Sequence, residues 1–230
     1  MADFVLVAGA RLGAWAWDDV VPALRAAGHG VHPLTLSGLA EKQDVPAGQQ
    51  THVQDIVDLV ENEDLHDVVL VGHSYSGIPA GQAAERIGDR LARVVFVDSA
   101  VPADGEPFAA IMADGGTALK ATLAENAGFW PVMSAAHFEE HDLTEEQIAR
   151  ILAGATPHPG ATLTEPAVLA RPVDELPATY VKCFPDEELD EDLAELIARG
   201  NWRLVELDTG HWPMFSKPRE LARILLDAAL

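Results

Sequence analysis

The sequence predicts an α/β protein: a doubly wound, mostly parallel sheet with crossover helices and an inserted, mainly helical cap. Three observations carry this. Short β-branched runs alternate with amphipathic helical stretches, the order expected of consecutive βαβ units. The runs VVLVG (68–72) and VVFV (94–97) are continuously apolar, as strands covered on both faces of a parallel sheet must be. One stretch, 103–176, breaks the alternation and holds helix-like pieces among many Pro, His and Gly. A connection of that length is usually functional. It is read as a cap over the carboxyl ends of the strands, where open α/β sheets bind ligands. The core is then 1–102 together with 177–230.

Each element has its own signal. FVLVA (4–8) is a strand broken by Gly9. In GAWAWDDVVPALRAAGH, Trp17, Val20, Val21 and Leu24 recur at helical spacing until Gly28 ends the run. GVHPLTL (30–36) is a strand that Pro33 weakens or pushes towards an edge. Residues 37–50 are polar with Gly and Pro and read as a loop. Thr51 is a candidate N-cap for THVQDIVDLVENEDL, whose Val53, Ile56, Val57 and Val60 form one stripe. DVVLVG precedes the helix SGIPAGQAAERIG, and LARVVFVDS follows. Beyond the cap come the strand ATYVKCF, the acidic-faced helix in DEELDEDLAELIARG, the strand WRLVELD and the helix PRELARILLDAAL.

Composition narrows the function. The chain of 230 residues carries 37 acidic and 15 basic side chains, a formal net charge of −22. That disfavours nucleic acid and anionic membrane surfaces as partners, and strongly anionic substrates unless the site departs from the average. No apolar run reaches the roughly 18 residues needed to span a bilayer, and MADFVLVAGA lacks a basic n-region. A cytoplasmic protein acting on a small molecule is expected; a homodimer is left open. The single cysteine, Cys183, lies in an apolar run and reads as a small buried hydrophobe. No cofactor or metal is expected. The glycines of GARLG do not complete G-x-G-x-x-G, and HFEEH (137–141) lacks a third metal ligand at a recognisable spacing.

The chemistry lies at strand ends. A serine hydroxyl needs a base, a group that orients the base, and donors for the developing oxyanion. Ser74, in VGHSYSGIP, stands between a buried strand and a helix, the strand–turn–helix setting of G-x-S-x-G. The second glycine is displaced: Ser76 takes its place and Gly77 follows. His211, in TGHWPMF, follows the last strand and is the candidate base, while His73 is expected to pack beside the turn. For the acid, Asp186 after ATYVKCF is placed first and Asp98 at the end of VVFVD is its rival; Glu187 and Asp208 are weaker. Backbone amides of Tyr75 and Ala10 are the candidate oxyanion donors, with Gly9 allowing a close approach.

With these residues in place, FVLVAGARLGAW, AAGHGVHPLTLSG, LVGHSYSG, YVKCFPDE and GHWPMFSKPREL resemble the α/β-hydrolase superfamily. Within it they are similar to the plant methylesterase/hydroxynitrile lyase type and its bacterial esterase-like relatives. The resemblance covers both ends and the middle of the chain and only loosely the cap. It implies an α/β-hydrolase core with Ser74, Asp186 and His211 as triad and Ala10 and Tyr75 amides as oxyanion donors, and so adds weight to Asp186. Three positions depart from the pattern: Ala8 replaces a histidine, Ser76 a glycine, and Trp212 the lysine with which the lyases stabilise cyanide. The last argues against lyase activity, as does Gly9 where the lyases carry threonine.

The function expected is hydrolysis of a small or medium carboxylic ester through an acyl-enzyme, with activity rising as the base loses its proton. Phe108, Phe129, Trp130, Met133, Phe138 and Trp212 are candidate pocket walls or, equally, cap-core packing. Two alternatives stand beside it. One is lactone or thioester opening, or another reaction such as a biosynthetic cyclisation or C–C cleavage. The other is a slow-turnover small-molecule binding protein on the same scaffold.

Overall fold

The computed structural model describes residues 1–112, 114–200 and 202–229. Its strands are β1 (Asp3–Val7), β2 (Gly30–Leu34), β3 (Val68–His73), β4 (Leu91–Val97), β5 (Phe129–Trp130), β6 (His158–Pro159), β7 (Ala178–Lys182) and β8 (Arg203–Glu206). Six of them form one sheet in the order β2-β1-β3-β4-β7-β8, and every pairing in it is parallel. β2 lies at an edge, where Pro33 has no second neighbour to supply with a hydrogen bond.

The helices are α1 (Val21–Ala26), α2 (Gln49–Asn62), α3 (Gly77–Ile87), α4 (Thr117–Glu125), α5 (Glu145–Gly154), α6 (Ala161–Thr164), α7 (Glu191–Arg199), α8 (Pro213–Ser216) and α9 (Pro218–Ala228). Strand residues alternate between two cores, as a period of two demands. Val5, Val7, Leu70, Val94 and Phe96 pack with α2 and α3 on one face. Phe4, Leu6, Val71, Val95 and Val97 pack with α1 and α9 on the other. The sheet is therefore the middle of three layers, and its carboxyl edge is left for loops.

Two helix starts differ from expectation. The run 14–28 is not one helix: a 3₁₀ turn, Ala14–Trp17, precedes α1, whose first turn holds Pro22. Proline fits a first turn because its missing N–H would have no partner there. α2 begins at Gln49 with Gly48 as N-cap. Thr51 instead sits in the first turn, and its hydroxyl accepts from the Gly48 N–H at 3.1 Å. Residues 103–176 hold α4, α5, α6 and the two-residue strands β5 and β6, which pair antiparallel apart from the main sheet. Among the described residues no helix is long and apolar enough to cross a membrane.

Candidate active site

β3, β4 and β7 end side by side, and at each end the chain turns sharply. Ser74, directly after β3, has φ +56°; Asp98, directly after β4, has φ +43°; Phe184, just beyond β7, has φ +50°. Side chains other than glycine rarely adopt this left-handed region, and it costs on the order of 1 kcal/mol or more at each. At Ser74 and Asp98 the turn goes with side chains that meet across the sheet edge.

They meet at His211, on the loop between β8 and α8. Its Nε2 lies 2.9 Å from Ser74 Oγ, and its Nδ1 lies 2.5 Å from Asp98 Oδ2. The other Asp98 oxygen accepts from the Cys183 N–H at 3.2 Å. Burial alone would raise the Asp98 carboxyl; the hydrogen bond and charge of His211, with the Cys183 amide, outweigh it and hold the group below its ordinary value. Asp186, expected first as the partner of His211, does not reach it. Its side chain is exposed, because the chain leaves β7 through the turn at Phe184 and carries the following residues outward. The carboxylate in contact with His211 is therefore that of Asp98, the rival candidate, and not that of Asp186.

The loop after β1 is stitched to the turn that carries Ser74. The Ser76 hydroxyl donates to the Ala8 carbonyl, and the Gly9 N–H donates to His73 Nδ1 at 3.2 Å. Gly9 cannot bear a side chain here: a Cβ would stand 2.8 Å from both His73 Nδ1 and Ser74 Cβ. Gly77 is held to glycine likewise, since a Cβ would stand 2.0 Å from the Ala100 carbonyl. The displaced glycine of the motif therefore sits where the 99–100 stretch crowds the helix, while position 76 has room for a hydroxyl with a partner. The Ala10 amide has no acceptor among the described residues. The Tyr75 amide lies in the first turn ahead of α3, where helical N–H groups lack intrahelical partners.

The alpha/beta hydrolase family model matches residues 4–224. The chain belongs to that family. Among similar proteins, the carbendazim hydrolyzing esterase of Nocardioides sp. (strain SG-4G) is 38% identical over 115 residues, a match spanning 49% of this chain and 48% of that one. Methylesterase 2 of Arabidopsis thaliana is 28% identical over 258 residues, covering 98% of this chain and 95% of its own. An extracellular alpha/beta-hydrolase from a Paenibacillus species shares the fold with TM-score 0.87 at 21% identity, over 99% of both chains.

Within this α/β-hydrolase, imidazoles of fixed tautomer surround the site. His73 accepts at Nδ1 and so carries its proton on Nε2, which donates to the His211 carbonyl at 2.7 Å. His52 donates from Nε2 to the Ser37 carbonyl at 2.8 Å and accepts at Nδ1 from the Tyr75 hydroxyl at 2.9 Å. His158 accepts the Arg11 N–H at 3.0 Å and donates to Thr162 Oγ1 at 2.8 Å. All three are buried. Burial pushes His52 down to about 4 and His73 down to about 3, and holds His158 well below the ordinary imidazole value. They are neutral at pH 7 and act as shaped hydrogen-bond partners.

A further contact comes from the 103–176 segment. His141 accepts the His211 N–H at Nδ1, 3.2 Å away, so both peptide groups of His211 are held by imidazoles. Burial, then the charge of His211, lowers the His141 pKa. In HFEEH, His137 turns instead to Ser134, and residues 135–138 are 3₁₀, so the two histidines do not share one α-helical face. From sequence, HFEEH is weighed only as a metal motif and set aside, so a contact of His141 with His211 is not anticipated.

The expected pocket residues divide. Phe108 is buried edge-on against Tyr75, with centroids 5.4 Å apart. Phe138 packs on Trp212 at 4.7 Å, and Trp212 stands edge-on to His211 at 5.0 Å. Met133 is buried in the same cluster. Phe129 is 40% exposed; paired only with Pro159 in the short second sheet, it is an outer edge and not an enclosed wall. Trp130 is half-buried beneath the Arg11 guanidinium, whose carbon stands 3.4 Å from a ring centroid. A groove of about 1000 Å³ opens between α3, residues 99–111 and α7; it touches Ser99 and Ala100 but neither Ser74 nor His211.

Proposed function

We propose that this esterase-type α/β-hydrolase cleaves a small or medium carboxylic ester through a Ser74–His211–Asp98 triad and an acyl-enzyme. The observation that carries the reading is the continuous contact from Ser74 Oγ through both nitrogens of His211 to Asp98. Asp98 accepts a hydrogen bond from Nδ1–H and stays ionised, which fixes the tautomer and leaves Nε2 free to take the serine proton as Oγ attacks the acyl carbon. The oxyanion is met by the Tyr75 and Ala10 amides, the former favoured by the positive end of α3. His211 then returns the proton to the leaving alcohol, and water cleaves the acyl-enzyme by the same route in reverse.

Residues 103–176 act in this reading as a cap, and the rest as the catalytic core. The segment sets one wall against Trp212 through Phe138 and one against Tyr75 through Phe108. The relatives named esterases and methylesterases support an ester as substrate. Ser74→Ala should lower turnover of p-nitrophenyl butyrate by roughly a thousandfold or more. A variant that cleaves this ester as fast as the wild type would overturn the assignment.

A further inference from the structure

Arg11 is a buried cation without a countercharge among the described residues. Its exposure is 7%, and no carboxylate lies within ion-pair distance among the described residues, in a chain with 37 acidic side chains. Removing a charge from water without a partner is costly, so the surroundings of this one bear on function.

The guanidinium is already half-organised. One face lies over the Trp130 ring at 3.4 Å, and Nε donates to the Pro131 carbonyl at 2.6 Å. Stacking uses the face of the group and leaves its N–H edges free in the plane. Neither Nη nitrogen has an acceptor among the described residues. Nor are they sealed: among the described residues, the fully enclosed side-chain nitrogens and oxygens without a partner belong to Trp15, Trp17, Gln49 and Thr179. The fork of Nη donors, the geometry that matches a carboxylate, therefore opens onto accessible space. The backbone holds it there. Arg11 has φ +72°, its N–H is fixed to His158, and its carbonyl accepts the Thr156 N–H at 2.9 Å.

The Arg11 backbone lies close to the turn that carries Ser74. Gly9 touches the Ser74 turn, and Arg11 is two residues further on, at most about 7 Å of chain. Ala10, whose amide is the oxyanion donor in the reading above, lies between them. We infer that Arg11 is a specificity residue that binds a carboxylate on the substrate, so that the preferred esters are half-esters of short dicarboxylic acids. This rests on the esterase reading for the reaction, but not for the binding. It also reverses, locally, what the overall charge of −22 suggests about anionic ligands.

The test compares monomethyl succinate, glutarate and adipate with methyl butyrate and methyl hexanoate, following acid release by the wild type, Arg11→Lys and Arg11→Met. The wild type should prefer the best half-ester over the neutral esters at least tenfold in kcat/KM. Arg11→Met should lose roughly 10–100-fold on that half-ester, mainly through KM, the range of a lost charge-assisted contact. It should keep the neutral esters within about threefold, and Arg11→Lys should fall between. Equal losses on both ester classes, or no wild-type preference, would make Arg11 a structural clamp and end the proposal.

Calorimetric titration of glutarate into Ser74→Ala protein, with glutaramide as control, reads the binding without chemistry and without altering Arg11. Glutarate should bind and glutaramide should not; equal or absent binding of both would overturn the carboxylate site. If glutarate binds while no ester is cleaved by the wild type, the esterase reading fails and the Arg11 site stands.

Discussion

Asp98 and Asp186 both follow strands of the parallel sheet, and only Asp98 reaches His211. Asp98→Asn should leave the packing intact but remove the acceptor that fixes the imidazole tautomer, lowering kcat by roughly 10⁴-fold. Asp186→Asn should stay within about threefold of wild type; steady-state kinetics of the pair on one ester checks both. The meeting of Ser74 and His211 was legible because each stands at a junction that residue types announce: small residues around Ser74 and a glycine and aromatic around His211. The carboxylate that partners His211 was not. A carboxylate after a buried strand occurs at both positions, and the choice depends on turns at Asp98 and Phe184 that residue identity does not reveal. Nor was the role of Ser76, whose hydroxyl finds the Ala8 carbonyl only once β1 and β3 lie side by side.

At the scale of elements, the strands read directly from apolar runs because a sheet covered on both faces tolerates little else. Helix starts read less well. Pro22 divides what periodicity joins, and Thr51 serves as the first-turn partner of Gly48. The 103–176 segment was legible as an interruption, while its contact with the His211 loop was not, since it joins residues 141 and 211. That contact gives a prediction. His141→Leu removes the acceptor for the His211 N–H and should lower kcat several-fold with KM less affected, whereas His141→Gln, which keeps an acceptor, should recover part of the loss. If both variants match the wild type in kcat, the 103–176 segment does not position His211. A fall confined to KM would assign His141 to substrate binding instead.

At the scale of the molecule, burying neutral imidazoles makes stability depend on pH. His52 and His73 titrate at about 4 and about 3 in the fold, and His158 well below its ordinary value; in the unfolded chain each returns to about 6.5. Below that value the unfolded state binds more protons, so stability present at pH 7 is lost progressively as pH falls through the window from about 6.5 towards 3. The lowered carboxyl of Asp98 adds to the loss at the acid end. Urea unfolding at pH 7.5 and pH 5 should show a drop of up to about 2 kcal/mol for each imidazole. Equal or greater stability at pH 5 would contradict neutral, hydrogen-bonded histidines. In the proposed mechanism, neutral imidazoles and the Asp98 carboxylate hold a strained sheet edge in place, so that one serine is activated. Mass spectrometry after reaction with a fluorophosphonate tests that claim most directly. The account predicts one phosphonyl group per chain, mapped to the peptide containing Ser74; no adduct, or an adduct on another residue, would contradict it.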